Sequence, residues 1–157
     1  MPWFLAIPIL GGANGCRTMT PIAVLCWFAY TGHLHVAGTW AFWSANVIAA
    51  IVFTLCALGE YIGDKLPQTP NRIAAGPLGA RIVFGGLVGG IVVTTLHQPL
   101  AAGILLGSIS AVAGAFLGFR LRRFLTVGRG FPDFPIALAE DVITVGLCML
   151  ALSRLSA

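Results

Sequence analysis

Apolar residues run in long blocks along this chain, and most blocks are of membrane-spanning length. The longest polar interruption is Ala57 to Arg81, ALGEYIGDKLPQTPNRIAAGPLGAR, which gathers two acids, three bases and three prolines. Before it, an apolar run from Pro2 to Leu10 leads through Gly11–Thr18 and Pro21 into a second run ending near Thr31. Taken as one helix, this is about 29 residues or ~43 Å, against ~30 Å of hydrocarbon. The pattern therefore predicts a first span broken at Gly12, Asn14, Gly15 and Pro21, or a re-entrant Pro2–Leu10 piece before an ordinary helix. Either way irregular backbone lies beside Arg17, which requires surrounding protein or a water-filled cavity.

The second span is expected from Trp40 to about Gly63, with Trp40 and Trp43 as interfacial aromatics, and the prolines after it forbid a continuing helix. The third runs from about Pro77 to Leu96 and the fourth from Leu100 to Phe119, joined by a His97-Gln98-Pro99 turn. Both carry paired glycines at four-residue spacing: Gly85/Gly89, Gly86/Gly90, Gly103/Gly107 and Gly114/Gly118. Such pairs let helix backbones approach closely, within a hairpin or between copies. A basic loop with Arg120, Arg122, Arg123 and Arg129 precedes a last span from Ile136 to Leu152.

Composition fixes the class. Hydrophobic residues make up 58% of 157, charged residues only 9%, and mean hydropathy is +0.94. A soluble domain carries far more charge, so the fold class is an all-α membrane protein with about five transmembrane helices in one domain over 1–157. The net charge of +4 comes from Lys and Arg concentrated in two loops, which is a topology signal and not a nucleic-acid footprint. Those loops lie two spans apart, which predicts a cytoplasmic N-terminus and a C-terminus outside. No cleaved signal peptide is read at the N-terminus. Cys16, Cys26, Cys56 and Cys148 sit in apolar segments with no CxxC spacing and are expected as reduced thiols.

With that topology all five acids, Glu60, Asp64, Asp133, Glu140 and Asp141, fall at the cytoplasmic end. Ionisable groups within spans are costly and normally pair or line a polar cavity. Arg17 is the deepest, and Glu60 and Glu140 are its expected partners. The candidate ligand or ion site is Arg17, Glu60, Asp64, Arg81, Glu140 and Asp141. The competing reading is structural: buried pairs that set helix register, or charges that reach to the headgroups. Gly15-Cys16-Arg17 recurs as Gly79-Ala80-Arg81, and Ala57-Leu58-Gly59-Glu60 as Ala137-Leu138-Ala139-Glu140. This suggests a degenerate repeat with halves 1–72 and 73–157, a feature of secondary transporters. His33, His35 and His97 are weak metal candidates, better read as interfacial histidines. Arg120, Arg122 and Arg123 read as an anchor on anionic lipid headgroups. No catalytic motif occurs, no cofactor is implied, and an enzyme is not expected.

The segments GCRTMTP, EYIGDKLPQTPNR and PIALAED together resemble the small bacterial integral-membrane family catalogued as domain of unknown function four-one-two-six. Arg17, Pro21, Glu60, Asp64, Lys65, Pro67, Glu140 and Asp141 carry the resemblance. It implies a helical protein of the cell inner membrane and no established activity. The leading expectation is a small transporter or channel-like protein, a homodimer because five spans give a thin wall. The alternative is a non-transporting scaffold, accessory subunit or lipid-binding protein.

Overall fold

The computed structural model describes residues 1–64 and 74–156; residues 65–73, which include Lys65, Pro67, Pro70 and Arg72, lie outside the described residues. Among the described residues the fold is all helical: α1 Trp3–Cys16, α2 Thr20–Tyr30, α3 Val47–Gly63, α4 Ala75–Thr95, α5 Leu100–Arg123 and α6 Asp133–Ser156. A 3-10 turn, Phe42–Ala45, precedes α3, and a π-helical turn, Phe124–Gly128, extends α5. Helices α4, α5 and α6 are long and apolar enough to cross a bilayer; α1, α2 and α3 are apolar but shorter. Large apolar side chains such as Ile48, Val83, Leu105, Leu117 and Val142 face outward. Soluble monomers rarely expose so much contiguous apolar surface, and a lipid-facing exterior accounts for it.

The expected first span is two helices that reverse direction. Met1 donates its amino group to the Arg154 carbonyl, and Arg17 pairs with Asp141, so α1 runs antiparallel to α6. Thr20 meets the Tyr61 hydroxyl and Trp27 meets Thr54, so α2 runs antiparallel to α3. The α1–α2 pair is therefore a hairpin with its tip at Arg17–Met19. This corrects the single broken span. Among the described residues six helices bring Met1 and Arg154 together at one end of the bundle.

The break also falls elsewhere. Gly12, Asn14 and Gly15 lie inside α1, and the chain leaves helical geometry at Arg17 (φ −138°, ψ 108°). Pro21 supplies the reason: in a continuous helix its ring would collide with the carbonyl of residue 17, four positions earlier. At the start of α2 it is tolerated because its missing N–H would have no partner there.

The glycines serve close packing. A Cβ on Gly11 would lie 2.7 Å from Ser110 Cβ and 2.8 Å from Gly107 O, and one on Gly15 would collide with the α5 backbone at Ala111–Ala115. Gly85 and Gly89 seat in the same way against Gly107 and Gly103. Helix α5 thus takes α4 on one side and α1 on another, with glycine at each crossing. Of the paired glycines expected in α4 and α5, Gly85/Gly89, Gly86/Gly90 and Gly103/Gly107 pack that hairpin, Gly114 packs on Gly12 of α1, and Gly11/Gly15 form a further pair against α5.

Other boundaries shift by local chemistry. The helix of the second span starts at Val47, where the Asn46 side chain accepts from the Ile48 N–H, leaving Trp40 and Trp43 outside it. Helix α5 continues past Phe119 because no proline interrupts before Pro132, so Arg120, Arg122 and Arg123 stand on helix and not on a loop. The echoed motifs fall at opposite helix ends: Arg17 after α1 but Arg81 early in α4, Glu60 late in α3 but Glu140 early in α6.

Gly89→Val should destabilise the purified protein by about 1–3 kcal/mol or more, because its first added carbon meets backbone that no rotamer change can move. Gly59→Ala, whose Cβ would meet nothing within 4 Å, should gain about 0.5–1 kcal/mol. Thermal unfolding of both variants in detergent checks the contrast, and equal effects would remove the close-packing role.

Candidate functional site

Arg17 is forced out of α1 by Pro21, and its fully buried side chain points into a cluster built by α3 and α6. Nη1 donates to Asp64 Oδ2. Nε lies 2.6 Å from Asp141 Oδ1, off the hydrogen-bond axis, and Nη2 lies 3.9 Å from Glu140 Oε2. The guanidinium carbon also stands 5.5 Å from the centre of the Tyr61 ring, within cation–π range. One cation is thus enclosed by carboxylates from two helices, with donors left over for hydrogen bonding.

Glu60 does something else. Its two oxygens accept from the Thr18 and Met19 N–H groups at 2.7 and 2.8 Å, just before α2 begins. These are donors that a helix start leaves unsatisfied, and a carboxylate there also meets the positive end of the helix dipole. Glu60 therefore holds the hairpin tip by its backbone while Asp64, one turn later, holds the same tip by its side chain. The expected pairing of Arg17 with Glu60 gives way to direct contacts with Asp64 and Asp141, with Glu140 further off.

Two further links surround the cluster. Asn14, wholly buried, donates from Nδ2 to the Arg81 carbonyl at 2.8 Å and ties α1 to α4; Arg81 itself is buried at this end. Arg122 grips Asp133 with two bonds, Nε to Oδ1 at 2.8 Å and Nη2 to Oδ2 at 2.6 Å. Its Nη1 lies 3.8 Å from Glu140 Oε2. One oxygen of Glu140 therefore stands between Arg17 and Arg122 at nearly equal distance. Glu140 and Arg122 also line a cleft of about 400 Å³ between α1, α5 and α6.

All six candidate residues, Arg17, Glu60, Asp64, Arg81, Glu140 and Asp141, thus lie at the charged end of the bundle. Sequence reasoning missed Tyr61, Thr18 and Met19. Tyr61 had a signal, since it adjoins Glu60 in an otherwise aliphatic segment; the backbone amides had none. The histidines do not converge. His33 contacts the Thr31 hydroxyl at 2.9 Å and His97 occupies a left-handed turn position (φ 54°). Among the described residues no group of three His, Cys, Asp or Glu side chains is arranged to hold a metal. All four cysteines are free thiols.

The fold and site define an all-helical bundle, compatible with a membrane protein, with one charged end. The model of the family described as Domain of unknown function (DUF4126) matches residues 5–154, and the chain belongs to that family. No curated protein and no solved structure matches it.

Removing one partner of a buried ion pair strands the other, so Arg17→Leu should cost about 3–5 kcal/mol. Glu60→Gln should cost about 0.5–2 kcal/mol, because the amide nitrogen cannot accept from the second backbone N–H. Thermal unfolding in detergent ranks the two; an Arg17→Leu protein as stable as wild type would mean the cluster does not depend on the guanidinium.

Proposed function

We propose that the chain is a small membrane transporter or channel-like protein for a proton or small cation, working through the Arg17 cluster. The observation that carries this reading is the position of Glu140. Its Oε2 is 3.9 Å from the buried Arg17 and 3.8 Å from Arg122, and it borders the cleft between α1, α5 and α6. A carboxylate between two guanidiniums is a point where protonation or a bound cation changes which arginine is held. Ionisable groups at membrane depth commonly serve such relays. The helix hairpin whose tip stops inside the bundle supports the same reading, since interrupted helices place backbone ends at transporter sites. In this reading the charged end is cytoplasmic by its Lys and Arg content, both chain ends face outward, and a homodimer completes the wall around the pathway.

A second reading has its own support. Glu60 on the α2 backbone and Asp64 on Arg17 fasten the same hairpin tip, which is what a register pin in a non-transporting scaffold would do.

Proteoliposomes separate the two. With an imposed potassium diffusion potential and a trapped pH-sensitive dye, wild type should conduct protons faster than empty vesicles. Glu140→Gln should be folded and should lose at least tenfold of that rate. A folded wild type that is silent to protons, and to sodium and potassium in matched dye assays, transfers the assignment to the scaffold.

A further inference from the structure

Helix α5 is longer than a bilayer core requires. It starts at Leu100 after Pro99, and at about 1.5 Å per residue it has risen ~30 Å by Arg120, the thickness of the hydrocarbon. Its last turn, with Arg120 and Arg123, and the π-helical turn Phe124–Gly128 therefore stand at headgroup level at the charged end. Together they shape an open depression of about 440 Å³ lined by Phe119, Arg120, Arg123, Phe124, Val127 and Gly128. Phe124 and Val127 are exposed, and the Arg129 guanidinium carbon lies 5.4 Å from the centre of the Phe124 ring. Apolar side chains and cations thus share one surface.

These cations have no acid to meet. The chain contains five acids, and each is placed elsewhere: Glu60 on the Thr18 and Met19 amides, Asp64 and Asp141 on Arg17, Asp133 on Arg122, and Glu140 between Arg17 and Arg122. Residues 65–73 add two bases and no acid. Among the described residues Arg120 and Arg123 make no ion pair and no side-chain hydrogen bond, and Arg129 makes no ion pair. Arg122 stands apart from them, because it grips Asp133 with two bonds. Arg120 and Arg123 are three positions apart on one helix, where Cβ atoms lie about 5–6 Å from each other. One phosphate placed between two such guanidiniums accepts charge-assisted bonds from both.

We infer that this depression binds the phosphodiester of an anionic phospholipid between Arg120 and Arg123, with its acyl chains against Phe119, Phe124 and Val127. The apolar rim and the headgroup depth select a lipid over a free phosphate ion. Cations with no carboxylate beside them select a head that carries no cation of its own, such as phosphatidylglycerol, over a zwitterionic one. None of these residues belongs to the Arg17 cluster. Binding is read without flux, so neither outcome bears on the conductance result.

The test is thermal unfolding of the purified full chain in detergent with phosphatidylglycerol, with phosphatidylcholine of the same acyl chains, or with inorganic phosphate. A lipid that binds the folded state raises the melting temperature by mass action. Phosphatidylglycerol should raise it by several degrees more than phosphatidylcholine, and inorganic phosphate should leave it unchanged. The double variant Arg120→Gln/Arg123→Gln should lose most of the difference between the lipids. Both side chains are exposed and unpaired, so this variant should unfold like wild type in phosphatidylcholine. Arg154→Gln removes an exposed base at the far end of the bundle and should keep the difference. If the double variant fails to fold, the two single variants decide, each losing part of the difference. Equal shifts from both lipids, or a phosphate shift matching that of phosphatidylglycerol, would overturn the proposal. So would a difference retained in the arginine variants, or one lost equally in Arg154→Gln.

Discussion

A guanidinium sealed from water has to be surrounded by acceptors, and the placement of Arg17 makes most of this architecture follow. Pro21 ends α1 at residue 17, so the arginine emerges at a helix end and not on a helix face. Its charge is then balanced only by carboxylates brought from elsewhere in the chain, Asp64 at the end of α3 and Asp141 in α6. Isolated, such a charge costs a few kcal/mol at the bilayer centre on insertion scales, by order of magnitude. Paired, it ties the first hairpin to the third and sixth helices. The need to balance one cation therefore gathers three parts of the chain that are distant in sequence.

The opposite end of the bundle is held by different means. There Ile7, Leu10, Leu25, Ile91, Val92 and Leu152 form a core with no charged member, closed by Leu34 and Val36 from the α2–α3 connection. Indole donors are matched to threonines: Trp27 to Thr54 and Trp40 to Thr94, each at 3.0 Å. Between the two ends the glycine contacts of α5 set how closely α1 and α4 approach. In lipid, apolar burial does not drive helices together as it does in water, so close backbone approach and interhelical polar contacts carry more of the association. Close approach along α5 in turn fixes the depth of the α1 end, and hence where Arg17 meets its carboxylates.

What was legible in the sequence was the part encoded by composition and by residue type. Low charge content marked the class, and the sorting of acids to one end came through even with one helix reversal missing. That reversal was obscured because Gly12, Asn14 and Gly15 look like part of the break in a linear reading, beside Pro21. Their role depends on what faces them: Gly11 and Gly15 face α5, and Asn14 faces the Arg81 carbonyl. The proline that breaks the helix acts four residues upstream of itself, at Arg17, which moves the irregular segment from the glycines to Arg17–Met19. The partner of Arg17 was likewise out of reach. Glu60 and Asp64 share a helix face, and which one meets the side chain depends on the backbone amides of Thr18 and Met19 occupying the other. That contact is three-dimensional and has no residue-type signature.

Glu140 differs from the other acids of the cluster in what its geometry asks of it. Glu60 is fixed on two backbone amides and Asp133 is gripped by a two-pronged arginine, so their positions are set by directional bonds. Glu140 presents one oxygen, Oε2, to two guanidiniums at 3.9 and 3.8 Å, on the border of a cleft. Coulombic attraction at that range is non-directional and changes little as the side chain shifts toward either arginine. A group that two arginines attract from separate helices couples them through one oxygen, and its place at the cleft border joins the charged cluster to the apolar space between α1, α5 and α6.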